Sequence, residues 1–193
     1  LVTNVKGIHA IPMAEYTFAV LLQIVRRLHE LAVAEREKRW DNKLRVTELW
    51  GQTLGIIGVG AIGKELARRA HIFGMRTLGV NTDGRAVEEV DEVFSLHELK
   101  AVLSASDFVV LTVPLTPKTR HLIDRDALEA MKDTAYLINI ARGAIVDEQA
   151  LLQALEQKRI AGAVLDVFKE EPLPGSHPFW TMDHVTVTPH ISG

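Results

Sequence analysis

The chain has 193 residues, of which 47% are hydrophobic and 24% are charged, and its formal net charge is −3. This composition is ordinary for a globular protein, and the charge favours neither a nucleic acid nor an anionic membrane surface as a partner. The chain has no cysteine, which excludes disulfides and thiolate metal ligands, and no metal site is predicted. This composition fits a reducing compartment, so we expect a cytoplasmic location, and no apolar run reaches the roughly 18 residues of a membrane span.

The first predicted element is a single long helix from Pro12 to about Lys38, where apolar residues recur at helical spacing. Beyond a polar linker, short apolar runs alternate with helical patterns. The predicted strands are Thr53–Val59, Thr77–Val80, Val93–Phe94, Phe108–Val113, Ala135–Ile140, Ala161–Val167 and His184–Pro189. The predicted helices between them are Gly63–Phe73, Ser95–Ser106, Arg125–Met131 and Asp147–Lys158. Uniformly apolar strands that alternate with helices indicate an α/β fold, in which a parallel sheet is covered on both faces.

The segment GVGAIG places Gly58, Gly60 and Gly63 in a G-x-G-x-x-G pattern between a strand and a helix. In that context the first glycine makes a tight turn, the second lets the backbone approach a pyrophosphate, and the third allows close helix–strand packing. The helix start, with Ala61 and Ile62, offers backbone N–H groups and a positive dipole end to phosphates. The pattern predicts one Rossmann-type, doubly wound dinucleotide-binding domain over residues 1–193.

The residue after the second strand is expected to contact the adenosine ribose, and it is acidic when the cofactor is NAD. Here it is Asn81, which cannot repel a 2′-phosphate, while Thr82 could donate a hydrogen bond to one and Arg85 could neutralise it. Asp83 argues the other way if the loop turns it inward, and a plain surface loop remains an alternative for Thr82 and Arg85. The predicted cofactor is NAD or NADP, with a lean towards NADP.

Longer segments follow the later strands: VPLTPKTRHLI, NIARGAIVDEQALLQAL, AGAVLDVFKEEPLP and VTPHISG. Together with GIHAIPMAEYTFAVLL near the start, they resemble the nucleotide-binding domain of the D-2-hydroxyacid dehydrogenases over essentially the whole chain. That family includes glycerate, phosphoglycerate, D-lactate and glyoxylate/hydroxypyruvate enzymes. The resemblance implies an oxidoreductase that transfers a hydride between NAD(P)H and a small 2-keto or D-2-hydroxy acid.

The resemblance also implies roles for individual residues. Arg142 matches the substrate-binding arginine, His190 the catalytic histidine, and Glu171 the glutamate that pairs with it, with Glu170 as the alternative if the register slips by one. Asp166 matches the aspartate that holds the carboxamide side of the nicotinamide. The other positions matched to the cofactor are Thr112, Val113, Pro114, Thr119, Ile140, Ala141 and Gly193, and Arg142 and His190 also belong to this set.

The chemistry of these residue types agrees with such a reaction. Reduction of a 2-keto acid needs a cation for the carboxylate, and the planar fork of Arg142 binds a carboxylate through two hydrogen bonds. Histidine titrates near neutral pH, so His190 can give a proton in one direction and take it in the other. A carboxylate such as that of Glu171 favours the charged imidazolium. The plainer alternatives are a surface cation for Arg142, a structural histidine for His190 and a solvated turn for Glu171.

In the family that the chain resembles, the equivalent of the first helix contributes to a two-fold dimer between nucleotide-binding domains. A helix over Pro12–Lys38 also outruns what one sheet can cover, so we expect a homodimer. Full-length members carry a second domain built from both ends of the chain, and we expect this substrate domain to be missing here. On that interpretation LVTNVKGIHA is an incoming crossover strand and HISG begins the outgoing one.

Two other functions fit the same residues. Relatives with this fold act as corepressors that sense the dinucleotide redox state, and they can retain the catalytic residues. A site built from histidine, arginine and glutamate could also serve the oxidation of a non-carbon acid such as phosphite.

Overall fold

In a computed structural model, which describes residues 7–193, the apolar runs form seven strands between six helices. The strands are β1 (Thr53–Ile57), β2 (Arg76–Asn81), β3 (Glu92–Ser95), β4 (Phe108–Leu111), β5 (Tyr136–Asn139), β6 (Gly162–Leu165) and β7 (Val185–Val187). The helices are α1 (Ala10–Arg26), α2 (Leu28–Arg36), α3 (Ala61–Ile72), α4 (Leu99–Ala105), α5 (Arg125–Ala130) and α6 (Glu148–Glu156). The predicted α/β fold class is confirmed.

All seven strands are parallel and form one sheet in the order β3-β2-β1-β4-β5-β6-β7. The chain builds outward from β1 to β3 and then returns to the other side of β1 to place β4. Open parallel sheets bind their ligands at such a reversal, outside the carboxyl ends of the strands. The loops that follow β1, β2, β4, β5, β6 and β7 meet at this edge of the sheet, which we call the carboxyl edge.

The core forms two apolar layers, one on each face of the sheet. Successive strand residues alternate between them: Ile57 and Leu111 belong to one layer, and Ile56 and Val110 to the other. The first layer is covered by α4, α5 and α6, and the second by α1 and α3. Because both faces are buried, the central strands read as continuous apolar runs in the sequence.

The prediction of one helix over Pro12–Lys38 is wrong. The chain breaks at Arg27, which adopts a left-handed conformation with φ of 51°, and α2 begins at the next residue. The carbonyl of Val25, one of the last in α1, accepts a hydrogen bond from the N–H of Thr47 in the following linker. In a continuous helix this carbonyl would accept a hydrogen bond from an N–H group of the helix itself. The local apolar periodicity does not predict a hydrogen bond between residues so far apart in the sequence.

Two smaller differences concern other segments. The predicted helix Ser95–Ser106 begins with a 3-10 turn, Leu96–Glu98, before α4, and the Glu98 carboxylate accepts hydrogen bonds from the N–H and the hydroxyl of Ser95. The predicted crossover strand at the start of the chain lies largely outside the described residues, and its described part is a turn that leads into α1. Within residues 7–193, none of the helices combines the length and apolar character needed to cross a membrane.

Candidate active site

The carboxyl edge brings together the loops that carry the predicted site residues. A parallel sheet places all its strand ends on one side, so residues far apart in sequence become neighbours. The glycine segment follows β1, the ribose loop follows β2, and four further loops follow β4, β5, β6 and β7. The predicted residues in these loops, at the end of β2 and in the first turn of α3 are Gly58, Gly60, Ala61, Ile62, Gly63, Asn81, Thr82, Arg85, Thr112, Val113, Pro114, Thr119, Ile140, Ala141, Arg142, Asp166, Glu171, His190 and Gly193.

Two of the three patterned glycines occupy positions where a side chain would collide with the protein. Gly58 has φ of 109°, and an added Cβ would lie 2.8 Å from the backbone nitrogen of Val113. A Cβ on Gly63 would collide with the carbonyl of Gly58. Gly60 is different, since a Cβ there would meet no atom of residues 7–193 within 4 Å, so among these residues the space in front of its backbone is open.

The helix that follows the glycines has an open, positive N-terminus. Gly60 is the N-cap of α3, no side chain of the described part of the chain caps the first turn, and that turn contains no acidic residue. An anion is stabilised by such a helix start, through both the free N–H groups and the helix dipole. With the open space at Gly60, this geometry fits a dinucleotide pyrophosphate.

The threonines after β4 are engaged with the protein itself. The Thr112 hydroxyl donates to the carbonyl of Gly58 at 2.6 Å and so ties the end of β4 to the glycine turn. The Thr119 hydroxyl donates to the carbonyl of Pro114 at 2.6 Å and accepts from the N–H of Thr116 at 2.8 Å. Both hydroxyl protons are therefore donated to backbone carbonyls at the carboxyl edge, and neither is left for a ligand.

The loop after β2 is organised by Asn81. Its side-chain oxygen accepts from the N–H groups of Asp83 and Gly84, at 3.2 and 2.6 Å, and its amide donates to the carbonyl of Arg85 at 2.8 Å. Asn81 thus closes the loop instead of presenting a free side chain to a ribose. The side chains left exposed towards solvent include those of Thr82 and Arg85.

A buried asparagine organises the loop that carries Arg142. Asn139 is only 1% exposed at the end of β5; it accepts from the N–H of Ala141 and donates to the carbonyl of Arg142, both at 3.1 Å. The next residue, Gly143, lies against the backbone of Phe168 so closely that a Cβ would overlap it. Arg142 itself is exposed, and its guanidinium donates to the carbonyl of Ala141 at 2.6 Å.

His190 and Glu171 form a hydrogen-bonded pair at the carboxyl edge. The imidazole Nδ1 lies 2.8 Å from Oε2 of Glu171, while Oε1 accepts from the N–H of Phe168 at 2.9 Å. The hydrogen bond from His190 and then that from Phe168 hold the pKa of Glu171 below its ordinary value, and the charge of Arg142 adds to the effect. A carboxylate only accepts, so Nδ1 carries a proton and the outward Nε2 is the atom available for proton exchange. The partner of His190 is Glu171 and not Glu170.

The carboxylate of Asp166 is bonded to neighbouring groups of the protein. Its side chain is fully buried, and its carboxylate accepts from the Thr188 hydroxyl at 2.6 Å and from the N–H groups of Ile191 and Ser192 at 3.0 and 2.9 Å. All three donors belong to the segment around His190. In this structure the contacts of Asp166 are with that segment.

Sequence reasoning missed several residues that shape the site. Asn139 could have been noticed, because a polar residue closes the otherwise apolar strand YLIN. Gly143 gives a weaker signal within ARG. Tyr16, whose hydroxyl lies 2.7 Å from that of Thr188, gives none, since 172 residues separate the two.

The sequence of this chain is similar to sequences of known proteins. The family model described as D-isomer specific 2-hydroxyacid dehydrogenase, NAD binding domain, matches residues 18–192. The glyoxylate reductase of Thermofilum pendens is 41% identical over 197 residues, which cover 99% of this chain. The chain spans only 58% of the length of that relative.

Solved structures of 2-hydroxyacid dehydrogenases superpose on this chain. Phosphoglycerate dehydrogenase from Lactobacillus plantarum superposes with a TM-score of 0.92 at 39% identity, covering 98% of this chain and 62% of that one. A D-isomer specific 2-hydroxyacid dehydrogenase from Xanthobacter autotrophicus, solved with NADPH and MES, gives a TM-score of 0.88 at 36% identity, covering 100% of this chain and 79% of that one.

Proposed function

Because the chain belongs to the D-isomer specific 2-hydroxyacid dehydrogenase family, as its NAD-binding domain, we propose that the protein is an NAD(P)-dependent oxidoreductase of small 2-keto and D-2-hydroxy acids. The observation that carries the proposal is the 2.8 Å contact between His190 and Glu171 at the carboxyl edge. Arg142 lies close enough for its charge to act on Glu171. His190, as a proton donor, and Arg142, as a cation that can bind a carboxylate, thus both lie near Glu171 at the carboxyl edge.

The cofactor would lie against the turn Gly58–Gly63 and the start of α3. The open space at Gly60 and the uncapped helix start support this placement of the pyrophosphate. When bound, the nicotinamide supplies the hydride, and the protein supplies binding and orientation.

The residues of the chain then have distinct tasks. Arg142 binds the substrate carboxylate through its planar fork. His190 holds a proton on Nε2 and delivers it to the oxygen that becomes the hydroxyl, and it takes the proton back in the reverse direction. Glu171 accepts the hydrogen bond from Nδ1 and so keeps the proton on that nitrogen, which leaves Nε2 for the substrate.

We assign a preference for NADP to the exposed part of the ribose loop. Asn81 adds no negative charge and is engaged in closing the loop. Asp83 accepts from the N–H of Arg85 at 3.3 Å, so its carboxylate is turned towards the loop backbone. The exposed Arg85 and Thr82 then provide the cation and the hydroxyl that a 2′-phosphate requires.

The protein forms a homodimer through the α2 end of the domain, as a further part of the proposal. Helix length does not support the dimer, since the predicted helix breaks at Arg27. The support is now a surface groove of about 530 Å³ beside Trp40, whose side chain is 92% exposed. Charges of both signs line this groove, in Glu35 and Lys38 among others. A two-fold axis would place the same patch of two copies together, so that these opposite charges could pair.

The dimer is tested by sedimentation of the chain and of its Trp40→Ser variant. Trp180→Ser is the matched control, since Trp180 is also exposed but lies outside the groove. The dimer should dissociate in the first variant only. A wild-type chain that is monomeric at all concentrations would contradict the proposal.

We extend the proposal to a cytoplasmic location. Its support is that the chain has no cysteine, which fits a reducing compartment.

The activity is tested with the longest natural polypeptide that contains these residues. Oxidation of NADPH and NADH is followed with glyoxylate, hydroxypyruvate, pyruvate and phosphohydroxypyruvate. We expect turnover with at least one keto acid and a loss of roughly 10³-fold in kcat for His190→Ala, because the acid/base is removed. Cofactor affinity should change less than about threefold, since phosphate binding lies elsewhere.

His97→Ala is the control, because His97 is exposed and lies on the turn before α4. Tight NAD(P)H binding without turnover of any keto acid would refute the enzyme proposal and favour a dinucleotide-sensing role. Reduction of NADP by phosphite in place of keto acid chemistry would favour a non-carbon acid as the substrate.

A further inference from the structure

The segment around His190 is fastened to one buried carboxylate. Asp166 accepts hydrogen bonds from Thr188, Ile191 and Ser192, at 2.6, 3.0 and 2.9 Å. Its backbone carbonyl also accepts from the N–H of His190 at 2.9 Å. Asp166 therefore holds residues on both sides of the histidine as well as the histidine backbone.

The Thr188 hydroxyl links this carboxylate to α1. A threonine hydroxyl has one proton, and here it is donated to Asp166. The Tyr16 hydroxyl, 2.7 Å from Thr188 Oγ1, must then be the donor in its own contact. Burial raises the pKa of Tyr16 to about 12, so the phenol keeps this proton throughout the neutral range.

The backbone of His190 needs such support. Its φ is 56°, in the left-handed region that a residue with a side chain adopts at a cost of roughly 1 kcal/mol or more. Conformations of this kind persist where the surrounding contacts determine them, and they occur frequently at functional sites. Here the hydrogen bonds to Asp166 provide these contacts on both sides of the residue.

We propose that Tyr16, Thr188 and Asp166 are positioning residues: a hydrogen-bonded chain from α1 that sets where the His190 ring stands. The proposal rests on the acid/base role of His190 given above. It also gives Asp166 a task of its own, because its carboxylate receives three protein donors before any ligand is considered. The three side chains bond to one another and to the backbone beside His190, so they act on the ring through the position of that backbone.

The test uses one variant of Tyr16 and two variants of Thr188. Tyr16→Phe removes the first donor, Thr188→Val removes the link, and Thr188→Ser keeps it. Tyr136→Phe is the matched control, since Tyr136 is the other tyrosine of the chain and lies at the start of β5, away from the carboxyl edge. Two readouts are taken: the ring signals of His190 in ¹H–¹³C NMR spectra, assigned by their loss in His190→Ala, and steady-state kinetics with NADPH and NADH.

We expect the His190 signals to shift and broaden in Thr188→Val and, less strongly, in Tyr16→Phe, with a kcat loss of roughly tenfold or more in Thr188→Val. Cofactor affinity should stay within about threefold, because the glycine turn is untouched. Thr188→Ser should restore both readouts, and Tyr136→Phe should alter neither. If Thr188→Val fails to fold, Tyr16→Phe decides with the same readouts.

Unchanged His190 signals in Tyr16→Phe and Thr188→Val would overturn the positioning proposal, whatever the kinetics. An equal response to Tyr136→Phe would also overturn it, because the effect would then be a general loosening. A His190→Ala variant with full turnover would refute the proposed function instead, and the NMR comparison would still decide whether the chain positions the ring.

Discussion

Asn81 and Asn139 use the same local hydrogen bonding in very different surroundings. Each is the last residue of a strand, accepts from backbone N–H groups just ahead in the chain and donates to a carbonyl that follows. Asn81 is partly exposed and closes the ribose loop, whereas Asn139 is 1% exposed and braces the loop that carries Arg142.

The difference between them is the availability of water. If the Asn81 side chain is lost, solvent can satisfy the backbone groups that it held. At Asn139 the freed N–H of the buried Ala141 has no such substitute, and a buried unsatisfied donor is costly. The loop of the proposed substrate-binding Arg142 is thus held by a buried polar residue, while the loop proposed to select the cofactor is held by a partly exposed one.

The most direct way to break this comparison is the pair Asn139→Ala and Asn81→Ala. We expect Asn139→Ala to lower the free energy of unfolding by about 2–3 kcal/mol and Asn81→Ala by less than about 1 kcal/mol, since only the former strands a buried donor. Urea unfolding of both variants measures the difference. We also expect kcat/KM to fall by roughly 10²-fold for Asn139→Ala, through displacement of Arg142. Equal losses of stability would show that burial is not what distinguishes the two residues.

A second change sharpens the assignment of the exposed loop. Arg85→Ala should reduce the preference for NADPH over NADH by roughly tenfold, because one charge-assisted hydrogen bond to the 2′-phosphate is lost. The ratio of kcat/KM for the two cofactors is the measurement, and stability should be unaltered. Arg45→Ala, in the exposed linker, is the control. A ratio that does not move would place the phosphate elsewhere.

The smallest expected effect concerns the pH dependence of stability at the His190–Glu171 pair. The pKa of Glu171 is lowered in the folded chain, chiefly by His190. Its contribution is therefore present above the unfolded pKa of about 4.3 and is lost as the pH falls through the lower folded value. Glu171 is more than a third exposed, so solvent screening keeps the contribution below about 1 kcal/mol.

This is measured as the difference in unfolding free energy between the wild-type chain and Glu171→Gln, from about pH 6 to about pH 3. The wild type should be the more stable near the upper limit, and the difference should shrink towards the lower. Glu170→Gln, at the neighbouring exposed residue, should show no such trend. A difference that grows as the pH falls would contradict the assignment.

Particular residues show how much of the fold and of the candidate site the sequence predicts. Local patterns were sufficient for the strands and for the glycine turn, because alternation of apolar runs and steric demands at Gly58 and Gly63 are properties of neighbouring residues. They were insufficient for the break at Arg27, which is accompanied by a hydrogen bond between Thr47 and Val25, 22 residues apart. The role given to Asp166 followed from resemblance, whereas its contacts with Thr188, Ile191 and Ser192 arise only when β6 and β7 lie side by side.

The hydrogen bond between Tyr16 and Thr188 also constrains how this chain can vary. Two positions at opposite ends of the sequence depend on each other, so neither can be exchanged freely while the other is kept. A chimera that receives α1 from a relative with phenylalanine at the position of Tyr16 would fold around the same apolar contacts and still lose a donor beside the histidine. Transplanting this helix therefore means transplanting the residue at position 188 with it.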